Sequence, residues 1–426
     1  MTNKINVKDL DIEKLKQTSL CMLPWVHIHL TPDHLIMPCC ISGMENSHDI
    51  TSTKETSIYE WVNSEPMKQM RLAMLRGEKV KNCTTCYNQE KAMKSFRQDT
   101  FTQYEQYLEE LLNSTNEDGS IDDFKLRYLD IRFNNLCNMK CRTCNASYST
   151  QWELEDRKAG MYIADKRNEI NEDLVYDNIV EQMPNIQRAY FAGGEPLINE
   201  KHYMLLEEMI RAGRTDMVLT YNTNLSKLNY KNKDLMDLWK RFKPRIQVYA
   251  SLDDYGERAE YIRHGTVWDE VIKNYETLFF TPNVCLNITT SVSLFNFNKL
   301  TNFFDYLLDL DLFPCDNRNK GAWQLNPVYA PHEFSLHTLP QHLKEDGKQT
   351  YKKYCEKLDT LSTRQHNEGQ LFQLKNALND FTNLVDHNNR WDDQKERFRD
   401  EVRKIDNRRN ENFETVFPEL KEMMHD

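Results

Sequence analysis

Apolar and polar positions alternate with period two in six short runs through the middle of the chain. The runs are KLRYLDIRF (125–133), IQRAYFAG (186–193), DMVLTYN (216–222), RIQVYASLD (245–253), VCLNITTSVS (284–293) and AWQLNPVY (322–329). Segments of helical period lie between them: EDLVYDNIVEQM, KHYMLLEEMIRAG, NKDLMDLWKRF, VWDEVIKNYETLFF and KLTNFFDYLLDL. Strands that alternate with helices predict βα units and an α/β fold on a parallel sheet. In the fourth run Gln247, Tyr249, Ser251 and Asp253 share one face, opposite Ile246, Val248, Ala250 and Leu252. Asp130, Arg132 and Asn134 oppose Leu129, Ile131 and Phe133, and Asn287, Thr289, Ser291 and Ser293 oppose Leu286, Ile288, Val292 and Leu294. The apolar faces are expected under the helices, leaving a polar interior rather than a filled hydrophobic barrel.

The flanks follow other patterns. CMLPWVHIHL reads as a strand, TPDHL as a turn and LIMPCC as its return strand,. SIYEWVNSEPMKQMRLAMLRGE places Ile58, Trp61, Val62, Met67, Met70 and Met74 at helical spacing, which predicts a helix with ordinary core methionines,. His27 and His29 share one strand face and are expected to be solvated or at the core edge. Residues 101–122 read as a helix and a polar linker. From Pro331 the chain is polar with mixed charge, which predicts surface helices that cover the barrel's open side or meet a partner, with a partly disordered end. The expected division is 1–100, 101–122, 123–330 and 331–426.

With 426 residues, 39% hydrophobic and 28% charged, the chain can bury a core of two or three domains,. A net charge of −11 gives no reason to expect a nucleic-acid partner,. No apolar run has the length of a membrane span, and the N-terminal residues lack a signal-peptide core,. Eight of the eleven cysteines cluster at 21, 39/40, 83/86 and 137/141/144. Outside the secretory route such clusters are metal or redox sites, so the expected location is cytoplasmic.

Cys137, Cys141 and Cys144 form a C-x3-C-x2-C array after the first run of the barrel. Three thiolates can converge on one metal centre; a closed zinc or electron-transfer site takes four ligands. On a four-iron cluster, three would leave one iron open. The second run ends in FAGGEPL, where Gly193 and Gly194 permit close backbone approach and Glu195 offers an acceptor for an ammonium group,. YNTNLS places Asn222 and Asn224 at the end of the third run. Ser293, Asn296 and Asn326 are further candidates for the interior, whereas Cys285, Cys315 and Cys355 read as structural.

The cysteine spacing together with GGEP resembles the radical S-adenosylmethionine (radical SAM) superfamily. That resemblance implies a partial (β/α)6 barrel in which Cys137, Cys141 and Cys144 hold a catalytic [4Fe–4S] cluster. It also implies that Gly193, Gly194, Glu195, Asn222, Asn224, Ser251 and Arg263 bind S-adenosylmethionine. In relatives a serine and a downstream arginine hold the methionine carboxylate, which points to Ser251 and Arg263; Leu225 and Asp254 stand where relatives often carry glycine. The N-terminal cysteines resemble the SPASM or twitch module. Cys21, Cys39, Cys83 and Cys86 match its ligands of a second, auxiliary [4Fe–4S] cluster. His34 occupies its glycine position, Cys40 competes with Cys39, and the module precedes the barrel instead of following it.

The implied chemistry is one-electron cleavage of S-adenosylmethionine to a 5′-deoxyadenosyl radical that abstracts a substrate hydrogen, in an oxidoreductase-like or peptide-modifying enzyme. A peptide or protein side chain is the expected substrate, and flavodoxin or ferredoxin the type of reductant. Two other readings stay open on sequence: a zinc-stabilised binding protein without radical chemistry, and an inactive radical SAM scaffold serving as a partner subunit.

Overall fold

The computed structural model describes all residues except 1–3, 7, 9, 34, 43–50, 53–56, 92–93, 162–171, 362, 388 and 426. His34, the residue at the glycine position of the cysteine module, therefore lies outside the described residues. The chain divides into two compact units, and each is described by itself. The first comprises 1–135, 164–219 and 241–244, and the second 136–163, 220–240 and 245–426.

The first unit carries β1 (His27–Leu30), β2 (Leu35–Met37), β3 (Thr51–Ser52), β4 (Tyr128–Ile131) and β5 (Arg188–Phe191). β1, β2 and β3 pair antiparallel in that order, whereas β1 with β4 and β4 with β5 are parallel. The predicted hairpin is present but its first strand is shorter than expected. Leu23–Val26 forms a helical turn, and Pro24 at its start supplies the preset φ and lacks the N–H that a ladder needs,. β1 lies between β2 and β4, so the expectation for His27 and His29 requires correction. His27 is 1% and His29 5% exposed, because β4 sets Tyr128 against the His27 ring (4.4 Å) and Asp130 against His29 Nδ1 (2.8 Å).

The helix expected from Ser57 is two helices, Ile58–Val62 and Glu65–Leu75. Ser57 and Glu60 close a capping box at the first, and Pro66 in the first turn of the second prevents one continuous ladder,. Met67, Met70 and Met74 are buried as predicted. The segment after it forms helices Phe96–Tyr104 and Leu108–Ser114. Arg71, with no measurable exposure, donates to the carbonyls of Gly119 (2.7 Å), Pro24 (3.0 Å) and Val62 (2.6 Å). One guanidinium thus ties three segments together.

The second unit takes most of β6 (Val218–Thr223), the short hairpin β7 (Asn229–Tyr230) and β8 (Lys233–Asp234), then β9 (Ile246–Ser251), β10 (Val284–Val292) and β11 (Trp323–Pro327). β6 with β9, β9 with β10 and β10 with β11 are parallel. All six runs of the βα series are therefore strands, and the fold is α/β with a mostly parallel sheet. In β9, Ile246, Val248 and Ala250 are fully buried while Gln247, Tyr249 and Ser251 are half-buried, the expected alternation,.

The C-terminal region is helical, as expected: Gln341–Leu358, Glu368–Leu384 and Trp391–Arg409. Its end departs from the partial disorder expected. Phe413–Val416 and Pro418–Met424 are helical turns, anchored by Phe413, Phe417, Leu420 and Met423, each at most 2% exposed. Among the described residues no helix is long and apolar enough to cross a membrane.

Candidate functional site

The segment with the three cysteines, 132–149, has no helix or strand of its own. Its shape is imposed from outside. Lys140 N–H donates to the His264 carbonyl (2.9 Å) and Arg142 N–H to the Ile262 carbonyl (2.8 Å), so the loop lies along the backbone of 262–264. Helix Thr150–Lys158 holds it from the other end. Its cap Ser149 donates to the Met139 carbonyl (2.5 Å), Thr150 Oγ1 donates to the Cys137 carbonyl (3.1 Å), and Trp152 Nε1 donates to the Cys141 carbonyl (2.7 Å). Asn138 Nδ2 donates to Ser226 Oγ (3.0 Å), and Asn138 Oδ1 accepts from Asn224 Nδ2 (3.0 Å).

Gly265 sets how closely the two segments approach. Its φ is +103°, and a Cβ there would stand 2.8 Å from the Asn138 carbonyl oxygen and 3.2 Å from Met139 Cα. Only glycine admits both the angle and the distance.

Burial raises the Cys141 thiol, and burial together with the charge of Cys141 pushes Cys144 up to about 11, while Arg263 lowers both. Arg263 caps helix Gly256–Ile262 and pairs with Asp253 through Nε (2.8 Å) and Nη2 (3.0 Å). Its Nη1 lies 3.9 Å from Cys141 Sγ. Asp253 Oδ1 also accepts from Ser291 N–H (2.8 Å), which fixes the pair to β10. Asp253 was visible in the sequence only as a polar-face residue of the fourth run. No spacing rule marks it as the partner of Arg263.

The predicted S-adenosylmethionine residues fall in both units. With Cys137, Cys141 and Cys144, the second holds Asn222, Asn224, Ser251 and Arg263, and Ser251 ends β9 half-buried. Asn224 is committed to Asn138 and Ser226, whose N–H (3.0 Å) and hydroxyl (2.7 Å) it accepts. Ser293 and Asn296 are fully buried and bond one another, Ser293 N–H donating to Asn296 Oδ1 at 2.8 Å. Asn326 lies on β11 beside Ser291. Gly193, Gly194 and Glu195 belong to the first unit. Both glycines have positive φ, +70° and +48°, and a Cβ on Gly193 would overlap Arg132 Cγ at 2.2 Å. Glu195 is 2% exposed and accepts from Leu197 N–H (3.0 Å).

The N-terminal cysteines all belong to the first unit. Burial drives the Cys39 thiol well above its usual range, and Cys40, Cys21 and Cys83 add to the shift. Burial likewise pushes Cys83 to about 12 and Cys21 to about 11, with Cys86 raising both. Desolvation and the charge of Asp130 push Cys40 to about 11, while Arg132 lowers it. Arg97, which sequence reading passed over, lowers Cys21, Cys83 and Cys86. It is locked by Glu90 (2.8 Å) and the Leu20 carbonyl (2.8 Å). Cys285 is half-buried, and Cys315 and Cys355 are buried in the second unit.

Both cysteine systems share one chemistry. Thiolates that repel one another in buried surroundings beside a guanidinium form a donor set that a cationic centre would stabilise. Among the described residues no three His, Cys, Asp or Glu side chains are grouped to hold a single metal ion. A four-iron cluster draws its thiolates from separate corners, and the residues fit it by donor type.

The model of the radical SAM superfamily matches residues 131–288, and that of an iron–sulfur cluster-binding domain, SPASM, matches 21–87. No curated protein matches the chain. Among solved structures, native anSMEcpe with bound AdoMet is similar at TM-score 0.36 and 17% identity, covering 52% of this chain and 58% of that one. Streptococcus suis SuiB bound to S-adenosylmethionine gives 0.33 and 14%, covering 68% and 64%. TYW1 with a lysine–pyruvate adduct gives 0.27 and 12%, covering 53% and 70%. The chain spans under two thirds of the anSMEcpe structure it matches.

Proposed function

Since the chain belongs to the radical SAM superfamily and carries its SPASM iron–sulfur module at the N-terminus, we propose that it is a radical enzyme acting on a peptide or protein side chain. Membership brings a [4Fe–4S] cluster, S-adenosylmethionine and auxiliary iron–sulfur binding. When bound, these cofactors supply reductive cleavage of the sulfonium and a 5′-deoxyadenosyl radical that abstracts hydrogen from substrate. In our reading Cys137, Cys141 and Cys144 hold the catalytic cluster, and Cys21, Cys39, Cys83 and Cys86 the auxiliary one. The module then occupies 1–100, the barrel 123–330 and the helical extension 331–426.

The observation that carries the reading is the braced cysteine loop with the Arg263 guanidinium against Cys141. Arg263 bonds Asp253 along one edge and keeps Nη1 turned toward the sulfur, so it can steady thiolate charge and meet a carboxylate,. Gly193 packs against the Arg132 side chain, where a Cβ would not fit, and the buried carboxylate of Glu195 follows it by two residues. SPASM-bearing relatives often act on peptides, which supports the substrate class; a flavodoxin- or ferredoxin-type reductant completes the scheme.

Anaerobic reconstitution with iron and sulfide, followed by dithionite and S-adenosylmethionine, tests this. The expected result is about eight irons per chain and formation of 5′-deoxyadenosine. Retention of zinc, with S-adenosylmethionine untouched, refutes it.

A further inference from the structure

Arg142 stands between two of the three cysteines, and its side chain has no measurable exposure. Two carboxylates meet it there, both from the far end of the chain: Asp406 Oδ1 at 2.5 Å and Glu411 Oε2 at 2.5 Å. Its Nε donates to the Tyr261 carbonyl (3.2 Å), and the guanidinium lies over the Tyr261 ring at 3.6 Å. The acids are themselves fixed. Asp406 accepts from Tyr261 Oη (2.8 Å) and Phe413 N–H (2.8 Å), and Glu411 Oε1 lies 2.6 Å from His264 Nδ1.

Local geometry explains why two acids five residues apart reach one guanidinium. Helix Trp391–Arg409 ends at Asn410 in the left-handed conformation (φ 54°, ψ 46°), and Glu411 N–H bonds back to the Asp406 carbonyl (3.0 Å),. The reversal sets both carboxylates on one side. A second tie reaches the residue on the other side of Cys141. Lys140 pairs with Glu155, Glu155 pairs with Arg409 (3.1 Å), and Arg409 lies over Trp152 at 4.6 Å.

We propose that the C-terminal extension is a clasp for the catalytic cysteine loop. Asp406 and Glu411 act through Arg142 as positioning residues for the cluster held by Cys137, Cys141 and Cys144. The inference rests on the reading of that loop as the cluster site. Burial of three charges is a weak source of stability, because desolvation offsets most of the attraction. What a planar guanidinium does provide is one orientation, held here at Nη2 by both fixed carboxylates and at Nε by the Tyr261 carbonyl,. Here it acts on a loop without secondary structure, at the residue where the chain must turn from Cys141 to Cys144. A solvated acidic face at the end of a helix would leave Arg142 exposed, and it is fully enclosed.

The test uses the full-length reconstituted protein and follows the part of the reduced-cluster EPR spectrum that shifts on addition of S-adenosylmethionine. Glu411→Gln and Asp406→Asn are expected to speed chelator-driven loss of that signal at least tenfold. Both should move its midpoint potential upward, since each removes a negative charge beside a centre that gains an electron. The auxiliary signal should keep its wild-type decay. Glu419→Gln is the control: Glu419 pairs with Arg258 (2.8 Å) and seats the same extension away from the cysteine loop. It should leave decay and potential unchanged. Should Glu411→Gln not fold, Arg142→Lys carries the test, because an ammonium keeps the charge but cannot meet the two carboxylates and the Tyr261 carbonyl at once; faster decay is expected. Wild-type decay and potential in the folded variants overturn the clasp, as does equal acceleration by Glu419→Gln. A wild-type protein with no signal responsive to S-adenosylmethionine instead overturns the radical reading itself.

Discussion

Replacing Gly265 by alanine isolates the contact that seats the cysteine loop. The new Cβ meets the Asn138 carbonyl at 2.8 Å and Met139 Cα at 3.2 Å, both backbone atoms. Neither can yield easily, since the Lys140–His264 and Arg142–Ile262 hydrogen bonds hold the adjoining backbone. A backbone angle of +103° costs an L-residue ~1–3 kcal/mol, and overpacking adds ~1–3 kcal/mol. Taking ~4 kcal/mol as the central value of the two together, the loop's cluster-binding arrangement becomes on the order of a thousandfold less populated relative to its alternatives. G265A should reconstitute with less iron and cleave S-adenosylmethionine at least tenfold more slowly, measured as 5′-deoxyadenosine per chain with the circular dichroism of folded protein. G213A supplies the comparison: φ is +71° there and an added Cβ meets nothing within 4 Å, so it bears strain without a clash. The reasoning is refuted if G265A matches G213A in iron content and cleavage.

Three further outcomes are expected from other parts of the chain. Arg71→Met leaves three buried carbonyls without their donor and should destabilise the first unfolding transition in urea by at least about 3 kcal/mol,. Burial lowers His202 to about 3, below its unfolded value of about 6.5, so its contribution is complete above pH 6.5 and is lost as pH falls toward 3,. By pH 5 the loss is about 2 kcal/mol, and H202F should show a correspondingly smaller drop in urea midpoint between pH 7 and pH 5. Cys39→Ser should remove the iron of the auxiliary site while Cys40→Ser retains it, counted as iron and sulfide per chain, because Cys39 senses Cys21 and Cys83 and Cys40 senses mainly Asp130 and Arg132.

What could be read from the sequence was local. The six strands announced themselves by alternation, and that alternation reappears as buried and half-buried positions along β9. The cysteine arrays and the Gly193–Gly194 turn were legible because their spacing is short. His27 and His29 were misread for the converse reason. Alternation in one strand cannot reveal that β4, a hundred residues later, covers it, or that His29 Nδ1 faces Asp130 at 2.8 Å. The break at Pro66 was visible in principle, and the apolar spacing across it masked the signal.

The framework of the cysteine loop was invisible for a deeper reason. A short irregular segment that must hold three sulfurs in place has no ladder of its own, so its geometry has to come from elsewhere. It comes from residues 262–265 through the backbone, from Asp253 by way of Arg263, and from Asp406 and Glu411 by way of Arg142. These partners lie more than a hundred residues away, and the last pair sits in a mixed-charge helix end that reads as solvated surface. Ligands in a motif share a local spacing; their supports share only a position in the folded chain. The same asymmetry governs substitutions here. Loss of a cysteine should abolish a cluster outright, whereas loss of Glu411 or Gly265 should leave all ligands present and weaken their arrangement, which makes the rate of cluster loss the more telling measurement.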